Sequence, residues 1–293
     1  MVAAPLPRTR HRRAFDILFR LGTYVALLLV IGPAAWILIG VVARAVPHWQ
    51  WKVLTTPTHG TSGGLENAII GTLVLMAGVF IIAGTIGVFA GIHLAELARP
   101  RRNGKESGGL LRTASDVLSG FPSIVLGYVG YVALVVGLHW GFSLLPALII
   151  LSIMVIPYIA KSTESALRQV PTGYREGAEA LGMSTGYSLR KVVLKSALPG
   201  IVTGLLLALA IACGETAPLI YTAGWTDAVP NLQLTGSHGF AYLTYPIFTF
   251  YNQPGQQAHD LAYDAALILV VIVLILLVTS RIIVARTQRH ADR

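Results

Sequence analysis

Apolar runs of about 20 residues recur along this chain, and they constrain its fold more than any other feature of the sequence. A helix of that length crosses about 30 Å of hydrocarbon. Hydrophobic residues make up 54% of the sequence and charged residues only 12%. This leaves too few charges to cover a water-soluble globule, so the sequence predicts a polytopic membrane protein.

We predict six membrane spans. Because each span must satisfy its own backbone hydrogen bonds in lipid, the predicted fold class is all-α. The predicted spans are residues 21–43, 67–92, 117–138, 144–160, 198–221 and 261–284. A cleaved secretory signal is the alternative for the first span, because Ala43-Arg44-Ala45 resembles a cleavage site. Its apolar core is longer than the roughly 7–15 residues of a signal peptide, so we predict a retained helix.

The positions of the Lys and Arg residues predict the orientation of the spans. With the N-terminus inside, all but two of the 22 basic residues fall in cytoplasmic segments, and only Arg44 and Lys52 lie outside. Such an excess marks cytoplasmic loops, so we predict a protein of the bacterial cytoplasmic membrane with both termini cytoplasmic. Its parts are a basic tail (1–20), a first span with an outer loop (21–65), a core of five spans (66–284) and a second basic tail (285–293).

A polar stretch, residues 171–201, separates two of the apolar runs and predicts two short helices with a break between them. Thr172 and Ser184 are candidate N-caps, because a hydroxyl accepts from the free N–H groups of a first turn. Gly182 is a candidate helix end, since glycine adopts the left-handed conformation without a Cβ clash. Pro199 marks the predicted turn into the fifth span. Such an element between two spans suits docking into a groove on a partner.

The same stretch resembles the "EAA…G" loop of ABC-importer permeases. The matching residues are Glu176, Gly177, Ala178, Gly182, Val192 and Leu194. Gly177 stands where that loop usually has its middle alanine, and Lys195 where it has a proline. The resemblance implies that the loop inserts into a cytoplasmic ATPase and couples nucleotide-driven closure to the membrane helices. An ordinary amphipathic surface loop is the alternative.

A carboxylate deep in an apolar segment, Glu215, is the main candidate for the substrate pathway. Charges at this depth are costly, so they usually face a cavity or a partner. Gly214 and Pro218 flank it and predict loosened helical hydrogen bonding. The alternative is a protonated glutamate bonded to a hydroxyl such as that of Thr216, with a packing role only. We therefore assign Gly214, Glu215, Thr216 and Pro218 to the predicted pathway.

Three stretches are similar to the PstA family of phosphate-importer permeases. They are GETAPL at 214–219, NAIIGT at 67–72 with GIHLAE at 91–96, and SDVLSGFPSI at 115–124. The likeness spans roughly residues 66–281 and implies a type I ABC importer permease, with the MetI-like fold. It implies as partners a homologous PstC-like permease, two cytoplasmic ATPases and an extracytoplasmic phosphate-binding protein. Many relatives carry arginine where this chain has Ile211, which removes one cation from the implied pathway.

Other functions stay open or are excluded by what the sequence lacks. No G-x-x-x-x-G-K-[ST] motif occurs, so we expect ATP hydrolysis on another chain and no enzyme activity here. The histidines are scattered and Cys213 is alone, so we expect no metal or cofactor, and the charge pattern indicates a bilayer rather than nucleic acid. A permease for sulfate, molybdate or amino acids, or a secondary transporter with Glu215 as a proton relay, remains an alternative. The aromatic loop 222–260 is either an interfacial layer or a docking surface.

Overall fold

The computed structural model describes residues 10–97 and 109–291, and side chains within 15–96 and 109–286. Residues 1–9 of the predicted basic tail, residues 98–108 between the predicted second and third spans, and residues 292–293 of the second tail lie outside these described residues. The chain divides into two contact units, Met1–Trp49 and Gln50–Arg293.

The described part of the first unit is mainly one long helix. Helix α1 (Arg10–Ala45) contains the predicted first span and Pro33, and a 3₁₀ turn (Val46–His48) follows it. Its apolar window has a mean hydropathy of 2.6, which fits a membrane span.

The second unit is built from helices joined by short breaks. They are α2 (Glu66–Ile92), α3 (Gly109–Gly120), α4 (Ser123–Gly130), α5 (Leu144–Arg168), α6 (Thr172–Ala180), α7 (Thr185–Ser188), α8 (Leu194–Cys213), α9 (Ala217–Thr222), α10 (Thr244–Thr249) and α11 (Gln256–Ala291). Turns of π-helix follow α2, α4 and α7 at His93–Leu97, Tyr131–Gly137 and Leu189–Val193. Two short strands, β1 (Thr58–His59) and β2 (Ser62–Gly63), pair antiparallel, and 3₁₀ turns lie at Trp51–Leu54 and Phe250–Asn252.

The described residues contain five helices long and apolar enough to span a membrane, or six spans if one bent pair is counted. The predicted helical class is confirmed, since most of the described residues are helical. The predicted second and sixth spans fall within α2 and α11.

The predicted third span, 117–138, is wrong as a single helix. Helices α3 and α4 meet at an angle of 100°. Pro122 explains the bend, because it has no N–H and disfavours a helical conformation at Phe121. Residues 117–120 of the predicted span belong to α3, and residues 123–137 form α4 and the π turn that follows it.

The predicted fourth and fifth spans begin and end at different residues from those expected. Helix α5 continues past Ala160 to Arg168, because ion pairs hold its last two turns. Pro199 does not begin the fifth span but lies inside α8. The helix runs from Thr185 through the π turn to Cys213, and it is 29 residues long.

Helices α2, α5 and α8 form the centre of the buried core. Glycines of α2 pack against α5: a Cβ on Gly87 would lie 2.7 Å from Ile159 Cβ, and one on Gly91 would lie 2.5 Å from Thr163 Cβ. Small residues let helix backbones approach closely, so this interface is fixed by the glycines of α2.

Candidate functional site

The fifth span is interrupted at the residues that the sequence singled out. Helix α8 ends at Cys213, α9 begins at Ala217, and residues 214–216 between them are not helical. Pro218 accounts for the break, since in a continuous helix its N–H would bond to Gly214 O and proline has none. Gly214 is exposed, Glu215 and Thr216 are half-buried, and Pro218 is buried. The predicted loosening of the helix around Glu215 is confirmed.

The bend of the third span lies beside this break. Helix α4 begins at Ser123, just after the bend, and α9 begins at Ala217, just after the break. The two helices pack so closely that a Cβ on Gly127 would lie 2.6 Å from Pro218 Cα. The two interrupted spans therefore contact each other just after their interruptions.

A segment of the predicted surface loop 222–260 is buried against the break. We call Phe240–Thr244 the wedge, and all of its residues are at most 4% exposed. Thr244 Oγ1 donates a hydrogen bond to Glu215 O at 2.8 Å, and Leu243 N donates one to Thr72 Oγ1 at 2.9 Å. Burial of the wedge means that neither predicted role, interfacial layer or docking surface, describes the whole loop.

The wedge also lines a small cavity between α2, α5, α8 and α9. Its lining includes Thr72, Met76, Leu151, Cys213, Leu219, Tyr242 and Thr244. Within the described residues, the buried Tyr242 hydroxyl has no hydrogen-bond partner. The cavity is therefore mainly apolar, and it is lined by Cys213, the last helical residue before the break.

We call residues 50–65 and 222–228 the cap. They lie at the N-terminal end of α2, and hydrogen bonds join them to each other and to that helix. Asn67 Nδ2 donates to Thr226 O at 2.9 Å, and Asn67 Oδ1 accepts from Thr58 N at 3.1 Å. Asp227 accepts from Gly60 N and from Trp225 Nε1, both at 2.8 Å. These bonds join two loops that are far apart in sequence.

The aromatic residues of loop 222–260 include a packed cluster around Trp225 and a second, exposed group. The Trp225 ring stacks on Tyr245, with centroids 4.5 Å apart and planes at 9°, and Phe250 meets both rings edge-on. Phe248 and Tyr251 are more than half exposed. Only the second group remains available as a surface for lipid or for a partner.

The predicted helix–glycine–helix element is present, with a different start. Gly182 has φ +73°, and the N–H groups of Gly182 and Met183 donate to Glu179 O at 2.9 Å and Ala178 O at 3.0 Å. These two bonds form a Schellman motif, which confirms Gly182 as the helix end. Thr172 is not the N-cap, because Pro171 holds that position and Thr172 is already helical. Ser184 holds the second N-cap position, without a side-chain bond.

The structure divides the predicted coupling residues into two groups. Glu176, Gly177 and Gly182 are exposed on or just after α6, while Ala178 is 4% exposed and anchors that helix. Val192 lies in the π turn and Leu194 begins α8, both half-buried. Glu176, Gly177 and Gly182 are therefore exposed for contact with a partner. Val192 and Leu194 belong to the long helix Thr185–Cys213, which ends just before Glu215.

Sequence reasoning missed an ion pair that holds α6. Arg175 donates to both carboxylate oxygens of Glu96, at 2.6 and 2.7 Å, with side chains 19% and 12% exposed. Glu96 lies in the π turn that ends α2, 79 residues before Arg175. No local signal in the sequence marks a contact over such a distance.

Further ion pairs join α3 to the end of α5. Glu164 pairs with Arg112 at 3.1 Å and with Arg168 at 2.7 Å. Lys161 pairs with Asp116 at 2.8 Å.

A second buried carboxylate, Asp264, was also missed. It lies near the start of α11 and is 3% exposed. The signal was available, since Asp264 falls inside the predicted sixth span 261–284.

Comparisons with known proteins agree on one family. Residues 85–289 match the family described as "Binding-protein-dependent transport system inner membrane component". The chain is 57% identical to the "Phosphate transport system permease protein PstA 2" of Mycobacterium bovis, over 96% of this chain and 92% of that protein. It is 33% identical to the "Phosphate transport system permease protein PstA" of Yersinia pestis, over 86% and 84% of the two chains.

Solved structures show the same fold at low sequence identity. A chain from a bacterial ABC transporter involved in the import of the acidic polysaccharide alginate gives a TM-score of 0.60 at 14% identity, covering 94% of this chain and 99% of that one. A chain of the MetNI methionine ABC transporter, in an inward-facing conformation, gives 0.53 at 23% identity, covering 80% and 96%. These likenesses support the fold alone.

Proposed function

Because the chain belongs to the family of binding-protein-dependent transport system inner membrane components, we propose that it is the permease subunit of an ATP-driven phosphate importer. The phosphate assignment is supported by 57% identity to a phosphate permease over nearly the whole chain. The structural observation that carries the proposal is the interrupted fifth span, which places a half-buried carboxyl group at Glu215 between two broken helices.

Under this proposal the end of the bundle that carries α6 faces the cytoplasm and binds an ATPase. The exposed side chains Tyr174, Leu181 and Tyr187, each at least 52% exposed, provide an apolar docking surface there. The excess of Lys and Arg in the segments at this end supports the orientation, with both termini cytoplasmic. The chain hydrolyses no ATP itself and needs no cofactor of its own. Its partners are a second, homologous permease, two ATPases and an external phosphate-binding protein.

Force from the ATPase reaches the pathway along one continuous helix. The second half of the coupling element is the start of the 29-residue helix Thr185–Cys213, which ends at the break before Glu215. Backbone hydrogen bonds join each turn of a helix to the next, so a helix transmits a displacement along its axis. Movement of α6 and α7 would therefore shift the residues at the break, and alternate access follows from that shift.

Glu215 selects phosphate by accepting a hydrogen bond from a protonated phosphate oxygen. Sulfate carries no proton at neutral pH and cannot make that bond. Ile211 occupies the position of the arginine that many relatives carry, and Lys161 is paired with Asp116. Neutral donors of this chain, or cations of the second permease, must then replace part of the hydration of the anion.

Uptake by the full complex in proteoliposomes tests the proposal. We expect ATP-dependent phosphate uptake with the binding protein present, and phosphate rather than sulfate should stimulate ATP hydrolysis. Glu215→Gln should lower phosphate uptake and its preference over sulfate, because the amide presents an N–H donor in place of one acceptor oxygen. Unchanged uptake and selectivity in that variant would refute the role of Glu215. Stimulation by sulfate or molybdate, or uptake without any ATPase, would replace the proposal by one of its alternatives.

A further inference from the structure

The hydroxyl of Thr244 connects the wedge to the non-helical residues of the fifth span. Its Oγ1 donates to the backbone oxygen of Glu215 at 2.8 Å, across 29 residues of sequence, and Thr244 is 4% exposed. A break in a membrane helix leaves backbone groups that need partners in an apolar environment. Thr244 supplies such a partner at Glu215, whose carboxyl group is the main candidate for the substrate pathway.

The other side of the wedge is fixed to α2. Leu243 N donates to Thr72 Oγ1 at 2.9 Å, and Thr72 Oγ1 donates in turn to Ala68 O at 2.8 Å. A Cβ on Gly71 would overlap the Ala241 carbonyl oxygen, so the backbones of the wedge and α2 are in direct contact. The position of Thr244 is therefore set by α2 and not by a flexible loop.

The wedge is also continuous with the cap. Phe240 N donates to Ala223 O at 2.9 Å, and the Tyr245 ring, one residue beyond the wedge, stacks on Trp225. Trp225 is held by Asp227, which also accepts from Gly60 N in the β1–β2 turn. Packed side chains and hydrogen bonds therefore connect the cap to Thr244.

We propose that Thr244 is a positioning residue for Glu215: it fixes the backbone of the break, aims the carboxyl group into the pathway, and links both to the cap. The proposal deepens the proposed function and rests on it for the role of Glu215. Thr244 touches no solute, and it acts through the Glu215 backbone. The wedge then serves as a fixed support that joins the break to α2 and to the cap.

A matched control separates this role from ordinary stabilisation. Thr203 Oγ1 donates to Pro199 O, also at 2.8 Å, within the same long helix that ends at the break. Thr203→Val and Thr244→Val each delete one hydroxyl-to-carbonyl hydrogen bond and keep the side-chain shape. Only the second deletion leaves the Glu215 carbonyl without that donor.

The only cysteine of the chain provides a reporter at the break. Cys213 is 5% exposed, ends α8 and lines the same cavity as Thr244. We would label the purified full complex with a small uncharged methanethiosulfonate and follow the intact mass of this chain. Thr244→Val should raise the labelling rate about five-fold, the factor expected from losing one buried hydrogen bond. Thr244→Ser, which keeps the donor, and Thr203→Val should stay within about two-fold of wild type.

Transport provides the second measurement, in vesicles with all partner subunits and the phosphate-binding protein. Thr244→Val should lower the maximal rate of phosphate uptake about ten-fold and leave the KM for the loaded binding protein unchanged, while Thr244→Ser restores the rate. Combined with Glu215→Gln it should cause no further loss, because both changes act on one group. Thr244→Ala removes the same donor together with the γ-methyl group, so it should lose at least as much of the uptake rate.

Clear outcomes would overturn the proposal. They are labelling and uptake of Thr244→Val equal to those of Thr203→Val, failure of Thr244→Ser to restore the rate, or additive losses with Glu215→Gln. Labelling of Cys213 does not depend on which solute is transported. If wild-type vesicles took up no phosphate, the proposed function would fail while the labelling still decided whether Thr244 fixes the break.

Discussion

The two ends of α2 are held by different chemistry. At its last turn, Glu96 forms a two-pronged ion pair with Arg175 of α6, and other ion pairs surround Glu164 nearby. At its first turns, the contacts are neutral: Asn67 bonds to two loops, and Gly71 lies against the backbone of the wedge. Charged side chains dominate one end and backbone-to-backbone packing the other.

This difference predicts which end moves. An ion pair between long side chains can stretch and re-form as two helices shift, because charges interact over several ångströms. Close backbone packing tolerates no such shift, since a gap of less than 1 Å forfeits much of its contact energy. We therefore expect α6 to move during transport and the wedge to keep its position on α2. Each prediction below breaks or sharpens this contrast.

The largest effect is expected for Gly71→Ala. The new methyl group would overlap the Ala241 carbonyl oxygen, which is backbone and cannot rotate away. Overpacking of this kind costs about 3 kcal/mol, so the purified complex should lose several degrees in Tm. Gly84→Ala is the control in the same helix, because its nearest neighbour is the flexible Leu205 side chain at 3.3 Å. Equal melting temperatures for the two variants would contradict the fixed wedge.

The next effect is expected at the Glu96–Arg175 pair. Glu96→Gln removes the negative charge beside a poorly solvated guanidinium and replaces one acceptor oxygen by an N–H donor, at a cost of about 1–3 kcal/mol. We expect weaker ATPase coupling, measured as phosphate transported per ATP hydrolysed. The double variant with Glu96→Arg and Arg175→Glu restores the pair in reverse and should recover part of the coupling. No recovery would show that the pair does more than join α6 to α2.

A smaller loss is expected for Asp227→Ala in the cap. The change removes the acceptor for both Gly60 N and Trp225 Nε1, each at 2.8 Å. Two such bonds at a partly buried site contribute about 1–2 kcal/mol. The Tm of the complex should fall, and Cys213 should label faster if the cap acts through the wedge. Ala228→Ser, at the exposed neighbouring position, serves as the control and should change neither measurement.

The smallest effect should have the opposite sign. A Cβ on Gly177 would meet nothing within 4 Å, so Gly177→Ala should stabilise α6 by up to about 1 kcal/mol through helix propensity. Gly182→Ala, five residues later, has the same open surroundings but φ +73°, and it should destabilise by about 1 kcal/mol. Thermal unfolding of the permease subunits purified without the ATPases measures both, because the proposed ATPase would cover this face of α6. A loss of stability in Gly177→Ala under those conditions would contradict the open surroundings of that residue.

Local signals predicted the breaks and the helix ends. Gly214 and Pro218 around Glu215 indicated the interruption of the fifth span, because missing donors and missing Cβ atoms act on their immediate neighbours. The same holds for Gly182 at the end of α6. The motif at Phe121-Pro122 carried an equal signal, but the apolar run 117–138 was long enough for one span, and the 100° bend went unpredicted.

Non-local contacts were not predictable from the same sequence. Helix α5 extends to Arg168 because Glu164 pairs with Arg112 of another helix, and the wedge is buried because α2 has a glycine where it docks. Nothing near Thr244 in sequence indicates a bond to Glu215. Such pairings depend on how helices are arranged, which an unaligned sequence does not encode locally.

The sequence alone determined the membrane class, the helical fold, the break around Glu215 and the helix end at Gly182, because hydropathy, proline and glycine act through solvent and the adjacent backbone. Only the tertiary structure decided which groups contact these sites: Thr244, at the start of α10, bonds to Glu215, and Glu96, in the π turn after α2, pairs with Arg175 of α6. A break in a helix leaves backbone groups that need hydrogen-bond partners, and the packing of distant residues decides which partner is present.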